Sequence, residues 1–363
     1  MEQDNFEKWD KAFRQQNLYA FNHEQNGLLW LKVRAVCRSK QIKQFILENN
    51  LTLKADTLAL QNKELFGLLE NVPDAMQRLD VFLRKSSYEW YRNMGVDDEK
   101  LKEDLYKVKH YAWGGDQNNS LDKYLVGRYV KVLSSYDELL AKQGEIASNS
   151  WNYVQTSWFN NWTSYLIESL FKQHERVVSA IGEIKSVDFF VDNLPIDLKV
   201  TFFPAQYMDE KLKEKLGNKE LTWLKKQAKT ANVSVDRTFS KSQQMYALQA
   251  KLEEIGRGDI IEELKSKRKE VVMEAQNNPM ELIRWLYSNQ GEMRFGAENR
   301  LFLILVDSSD MSQSWAMKRA FSLIEPKVKT YLDTFRENSL KEINFTFQRN
   351  NYKSLADIIF VIK

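Results

Sequence analysis

The chain has 363 residues, 43% hydrophobic and 28% charged, with a formal net charge of +3. This composition excludes a disordered tail and a membrane-embedded chain, and the near-balanced charge carries little information about partners. Only 13 Gly and 5 Pro punctuate it, which argues against a turn-rich all-β fold and for long helices.

The first residues, MEQDNFEKWDKAFRQQ, are charged and lack the apolar core of a signal peptide. No apolar run reaches the roughly 20 residues of a bilayer span, so a soluble, cytoplasmic chain without a membrane partner is expected. Residues 1 to about 145 read as helical. Leu29, Val33, Val36, Ile42 and Phe45 approximate a helix period, and Asp74 stands where it would cap a helix with the apolar face Met76, Leu79, Phe82 and Leu83. The polar stretch 142–150 reads as a boundary between a helical domain, 1–149, and a second domain, 150–363. There, residues 157–180 read as an aromatic helix, and VDFFV and IDLKVTFF as a strand pair. Residues at about 205–290 return to charged, helical sequence. RLFLILVD (300–307) reads as a strand, about 313–337 as helix, and INFTF (343–347) and ADIIFVIK (356–363) as closing strands. The order predicts an α/β (α+β) chain: a helical N-terminal region, then a mixed-sheet core carrying a helical insertion.

The chemistry concentrates in residues 187–201. Asp192-Asn193 is turn chemistry, since both types tolerate the left-handed conformation. A two-residue hairpin loop there pairs Val191 with Leu194 and sets Asp188 opposite Asp197, with Lys199 on the same face. The opposite face collects Val187, Phe189, Val191, Leu194, Ile196, Leu198 and Val200. Phe190 and Pro195 neighbour the charged face. Two carboxylates directly across a strand pair repel. A divalent cation between them removes the repulsion, and Mg²⁺ prefers one or two carboxylates plus waters and phosphate oxygens. Alternatively, Lys199 simply neutralises the pair on a solvated face.

Asp188, eight intervening residues, then Asp197-Leu198-Lys199 on a hairpin resembles the PD-(D/E)xK nuclease superfamily, which includes restriction endonucleases. The order of elements from residue 157 onward is similar over about 150 residues split by the insertion. Val187 stands where the motif has Pro. The resemblance implies a restriction-endonuclease-like core and a Mg²⁺-dependent endonuclease, with Mn²⁺ as a substitute. DNA is the implied substrate, cut to a 5′-phosphate and a 3′-hydroxyl. Asp188 and Asp197 would bind the metal and Lys199 would position the attacking water. A Glu of the preceding helix would complete the site. Glu168, in an apolar neighbourhood, is the preferred candidate; Glu175 and Glu183 are the alternatives. A type II restriction enzyme acting as a homodimer is the most specific form of this expectation. The alternatives are an RNA-directed or structure-specific nuclease, or a non-catalytic nucleic-acid-binding protein.

Further candidates for nucleic-acid contact are Lys225, Lys226 and Lys229, in a segment (204–242) with nine Lys/Arg against five Asp/Glu, and Gln290, Arg294 and Arg300. The lysines equally suit a solvated helix face, and the arginines equally suit contacts to Glu292 or Glu298. Trp158 and Trp162 have the spacing of a buried helix face and the chemistry to stack on bases. The lone Cys37 excludes an intrachain disulfide and a four-cysteine zinc site, and the separated His23, His110 and His174 argue against a His-rich one.

Overall fold

A computed structural model describes residues 4–36, 38–113, 120–184, 186–236, 238–289, 298–336, 338–347 and 349–363. The chain is mixed α/β. Its six strands are β1 (Val177–Ile184), β2 (Val187–Val191), β3 (Leu194–Phe202), β4 (Arg300–Val306), β5 (Lys341–Phe347) and β6 (Asn350–Ile362), in the sheet order β1-β2-β3-β4-β6-β5. Strands β3, β4 and β6 run parallel, while β1–β2–β3 and β5–β6 pair antiparallel. β4 is buried along its whole length, as a central strand covered on both faces requires, and its near-continuous apolar sequence follows from that.

Alternation along β4 separates two cores. Leu301, Leu303 and Leu305 pack with Phe159, Leu166, Ile167 and Phe171 of the 30-residue helix Gln143–Lys172, and with Ile324, Val328 and Leu332 of the helix Phe321–Thr334. Phe302, Ile304 and Val306 pack against the insertion, whose helices are Ala205–Leu216, Glu220–Thr230, Lys241–Glu254, Gly258–Asn277 and Pro279–Ser288. A third cluster holds the N-terminal helices, among them Gln25–Ala35, Ser39–Glu48 and Ala75–Met94. It takes in Val178 of β1 and Val187 and Phe190 of β2, so the N-terminal half packs directly onto the antiparallel end of the sheet.

Three sequence expectations change. The aromatic helix stops at Lys172, and Val177–Ile184 is the strand β1. Its Val177-Val178 start suits a strand, and its backbone pairs with β2 from Val177–Val191 onward. The polar stretch read as a boundary is helical from Gln143 and forms the solvated first turns of the long helix, where Glu145 accepts from the Tyr129 hydroxyl at 2.7 Å. Asp74 does occupy the N-cap position of Ala75–Met94, but its carboxylate pairs with Arg78 at 2.9 Å instead of making a capping bond. Among the described residues, no helix is long and apolar enough to cross a membrane.

Candidate active site

The hairpin folds in the register read from its turn. Val191 pairs with Leu194, Phe190 with Pro195 and Phe189 with Ile196, and both turn residues are left-handed, Asp192 at φ 47° and Asn193 at φ 71°. The same register continued by one pair sets Asp188 opposite Asp197. There the two strands part: β3 turns to β4, pairing Asp197 with Arg300, and the Asp197 N–H donates to Asn299 O at 2.9 Å. The Asp188 carboxylate fills the gap in the ladder by accepting the Leu198 N–H at 2.7 Å.

Two details of the hairpin faces differ from expectation. Phe190, beside the charged residues, is fully buried under the N-terminal helices, so that face is solvated only toward its Asp188–Lys199 end. Val187 joins the same N-terminal cluster and not the opposite core. A register shift between β1 and β2 accompanies this change at the start of β2.

The electrostatics follow from burial. Desolvation pushes the Asp188 carboxyl up to about 6, and the charges of Asp197 and Glu168 add to this, while the Leu198 N–H and Lys172 oppose it. Asp197 is raised by burial too, with Arg300 and Lys199 holding it down and Glu298 and Glu168 pushing it up. Arg300 reaches Asp197 Oδ2 at 2.9 Å and Glu298 Oε2 at 3.2 Å, and burial raises the Glu298 carboxyl as well. Lys199 is exposed, two residues beyond Asp197 on β3. Lys318, buried, donates to Asn160 Oδ1 at 2.7 Å; burial and the Lys199 charge bring it down to about 8.

Glu168 is brought to this site and Glu175 is not. It pairs with Lys172 at 2.9 Å, one helical turn on, and lines the same cleft as Asp188. The cleft has a volume of about 1150 Å³. Its helix-borne wall is the stripe Asn161, Ser164, Tyr165, Glu168 and Lys172 of the long helix, the face opposite the buried Phe159, Ile167 and Phe171. Glu175 is exposed and lies in a different surface pocket with Asp192. Glu183 falls on β1, with its side chain outside the described ones. His174 faces Asp333 at 3.0 Å, a structural pairing.

The nucleic-acid candidates separate similarly. Arg300 is 3% exposed and held by two carboxylates, so it serves the interior and does not present itself to a phosphate backbone. Lys225, Lys226 and Lys229 are exposed on the insertion helix Glu220–Thr230 and do not line the cleft. Gln290, Arg294 and Cys37 lie outside the described residues. Trp162 lines the cleft and Trp158 is 37% exposed; it is Phe159, between them, that enters the core.

Sequence reading missed the second wall. Arg38, Ser87, Trp90, Tyr91 and Met94 come from the N-terminal half to face the long helix across the cleft. Trp90 and Tyr91 stand in a run of aromatics, YEWY, that a core helix would not expose; that was the available signal.

Among the described residues, no three His, Cys, Asp or Glu side chains converge as a ready-made metal cage. The donor set fits a different kind of site. Two half-buried carboxylates, one raised by the charge of the other and both raised by a third acid, suit a hard cation that keeps waters and takes phosphate oxygens. Comparison of the chain with family models, curated proteins and solved structures finds no match in any of the three.

Proposed function

We propose that this chain is a Mg²⁺-dependent nuclease of the PD-(D/E)xK type that hydrolyses phosphodiester bonds, with DNA as the first substrate to test. The observation that carries the proposal is the pair Asp188 and Asp197. They are half-buried, the charge of Asp197 raises Asp188, and they lie one residue beyond the last ladder pair of a hairpin whose next strand-face position is Lys199. A fold built for stability alone gains nothing from such a pair. The element order around it supports the same reading: a helix bearing Glu168, three antiparallel strands, a helical segment, and β4 parallel to β3.

Asp188 and Asp197 would hold the cation, with Glu168 completing its shell directly or through water. When bound, the cation supplies positive charge at the scissile phosphate and acidifies a water. Lys199, exposed two residues beyond Asp197 on β3, would orient the attacking water and stabilise charge developing on the phosphate. Arg300 opposes the upward shift that burial gives Asp197 and fixes its Oδ2. Lys172 pairs with Glu168 Oε2 at 2.9 Å and fixes its position. Lys318 contributes a second positive charge behind Lys199.

The test is cleavage of purified DNA with Mg²⁺ or Mn²⁺, with EDTA and Lys199→Ala as controls. Loss of cleavage in both controls is expected. Full activity in Asp197→Ala contradicts the assigned site.

A further inference from the structure

The same cleft carries a feature that the hydrolytic site does not use. Four aromatic rings form a connected wall along it: Trp90 and Tyr91 (centroids 4.9 Å apart), Tyr91 and Tyr165 (5.4 Å), and Tyr165 and Trp162 (5.4 Å). Two come from the N-terminal half and two from the helix that presents Glu168. Trp90 is open to the cleft, Tyr91 is half-buried, and Tyr165 and Trp162 are half-buried and pack in part against the core while lining the cleft. The core aromatics of these two helices, Phe82, Phe159 and Phe171, are 2%, 0% and 0% exposed, whereas Trp90 is 44% exposed. The helix Ala75–Met94 thus has an inward aromatic face and an open one at Trp90, and the long helix lines the cleft with rings that rest on the core by one side. Open tryptophan surface held beside charged groups is poor design for stability and good design for a flat, partly apolar ligand.

Cations accompany the rings. Lys172 and Arg38 line the cleft, and Asp188 and Glu168 lie in the same wall. A flat ring system attached to a phosphate, with the phosphate at the acidic end, matches that distribution. In a duplex the faces of the bases are covered by their neighbours. Only an unpaired or extruded base offers a face to a protein ring.

We propose that this aromatic wall stacks an unpaired nucleobase next to the phosphate addressed by Asp188 and Glu168, so that the substrate is single-stranded or locally unpaired nucleic acid. The inference rests on the nuclease reading for the position of the phosphate, but its test reads binding alone.

The experiment is fluorescence anisotropy of a labelled oligothymidylate with the full chain in EDTA. A duplex and an abasic strand of the same length, and an oligouridylate, are run beside it. The expected result is tighter binding of oligothymidylate than of duplex or abasic strand. Trp90→Ala should weaken the oligothymidylate complex about tenfold, the size of one lost base–aromatic stack, and leave abasic binding unchanged. Trp162→Leu should act in the same direction. Tyr88→Ala, on the same helix as Trp90 but outside the cleft and 71% exposed, should have no effect. Equal loss with oligouridylate extends the stacking to RNA; its absence there restricts it to DNA. Three results overturn the inference: duplex bound as well as single strand with Trp90→Ala silent, an equal loss in Tyr88→Ala, or no binding of any strand. Trp90-dependent strand binding without Mg²⁺-dependent cleavage leaves the stacking standing and removes the nuclease reading. Duplex cleavage untouched by Trp90→Ala and Trp162→Leu does the reverse.

Discussion

Lys32, fully buried in the N-terminal half, donates from Nζ to Asn193 Oδ1 at 2.5 Å, in the turn of the hairpin that carries Asp188 and Asp197. It also pairs with Asp80 and lies 5.6 Å from the centre of the Phe190 ring. Burial lowers the lysine pKa and Asp80 opposes that shift. The N-terminal half therefore holds the Asp188–Asp197 hairpin by its turn, through a charge with little access to water. Lys32→Met removes the tie and leaves Asp80 partly solvated. A stability loss of about 2 kcal/mol is expected, since the partner carboxylate keeps some contact with water. Urea denaturation measures it, and an unchanged midpoint would show that the tie contributes nothing.

Asp188 sets a pH dependence. Its folded pKa of about 6 lies above the ordinary 3.8, so the folded chain holds that proton more tightly than the unfolded one. The resulting stabilisation is complete below about pH 4 and is lost as the pH rises through about 6. In metal-free buffer Asp188→Asn is expected to be more stable than the parent above pH 6, by something of the order of 2 kcal/mol. It should also have a flatter stability profile between those limits. Denaturation at several pH values in EDTA checks this; parallel profiles for the two proteins would mean that Asp188 is not under strain.

Arg300 separates an interior role from a nucleic-acid contact. Its removal in Arg300→Met leaves the half-buried Asp197 and Glu298 without their shared cation. A destabilisation of about 3 kcal/mol is expected. A phosphate-contact residue would instead change the salt dependence of binding with little effect on folding. Unfolding curves and salt titrations on the same variant distinguish the two.

Glu168 and Glu175 are seven residues apart and have different surroundings: one lines the cleft with Asp188 and the other is exposed in another pocket. Glu168→Gln is expected to lower cleavage about 10- to 100-fold. Glu175→Gln should remain within about twofold of the parent. Rates on one substrate at saturating Mg²⁺ test the pair, and equal effects would remove Glu168 from the site.

Local signals made the hairpin legible. Its alternation and the Asp192-Asn193 turn depend on neighbouring residues only, so faces and register follow from about 15 positions. β1 was hidden because the helix before it ends without Gly or Pro, and its strand character comes from pairing with β2. The burial of Arg300 depends on β4 lying against β3, which no local pattern announces. Trp90 and Tyr91 meet Tyr165 across more than seventy positions of sequence, and the shared cleft exists only once the N-terminal helices pack on β1 and β2.

The most direct measurement is incubation of supercoiled plasmid and of single-stranded phage DNA with the purified chain and Mg²⁺, beside Asp188→Asn. The expected result is cleavage by the parent that disappears in the variant while its fold is retained. Equal cleavage by both proteins, or none by either on any DNA or RNA offered, would contradict the assignment of Asp188 and Asp197 as the centre of a nuclease.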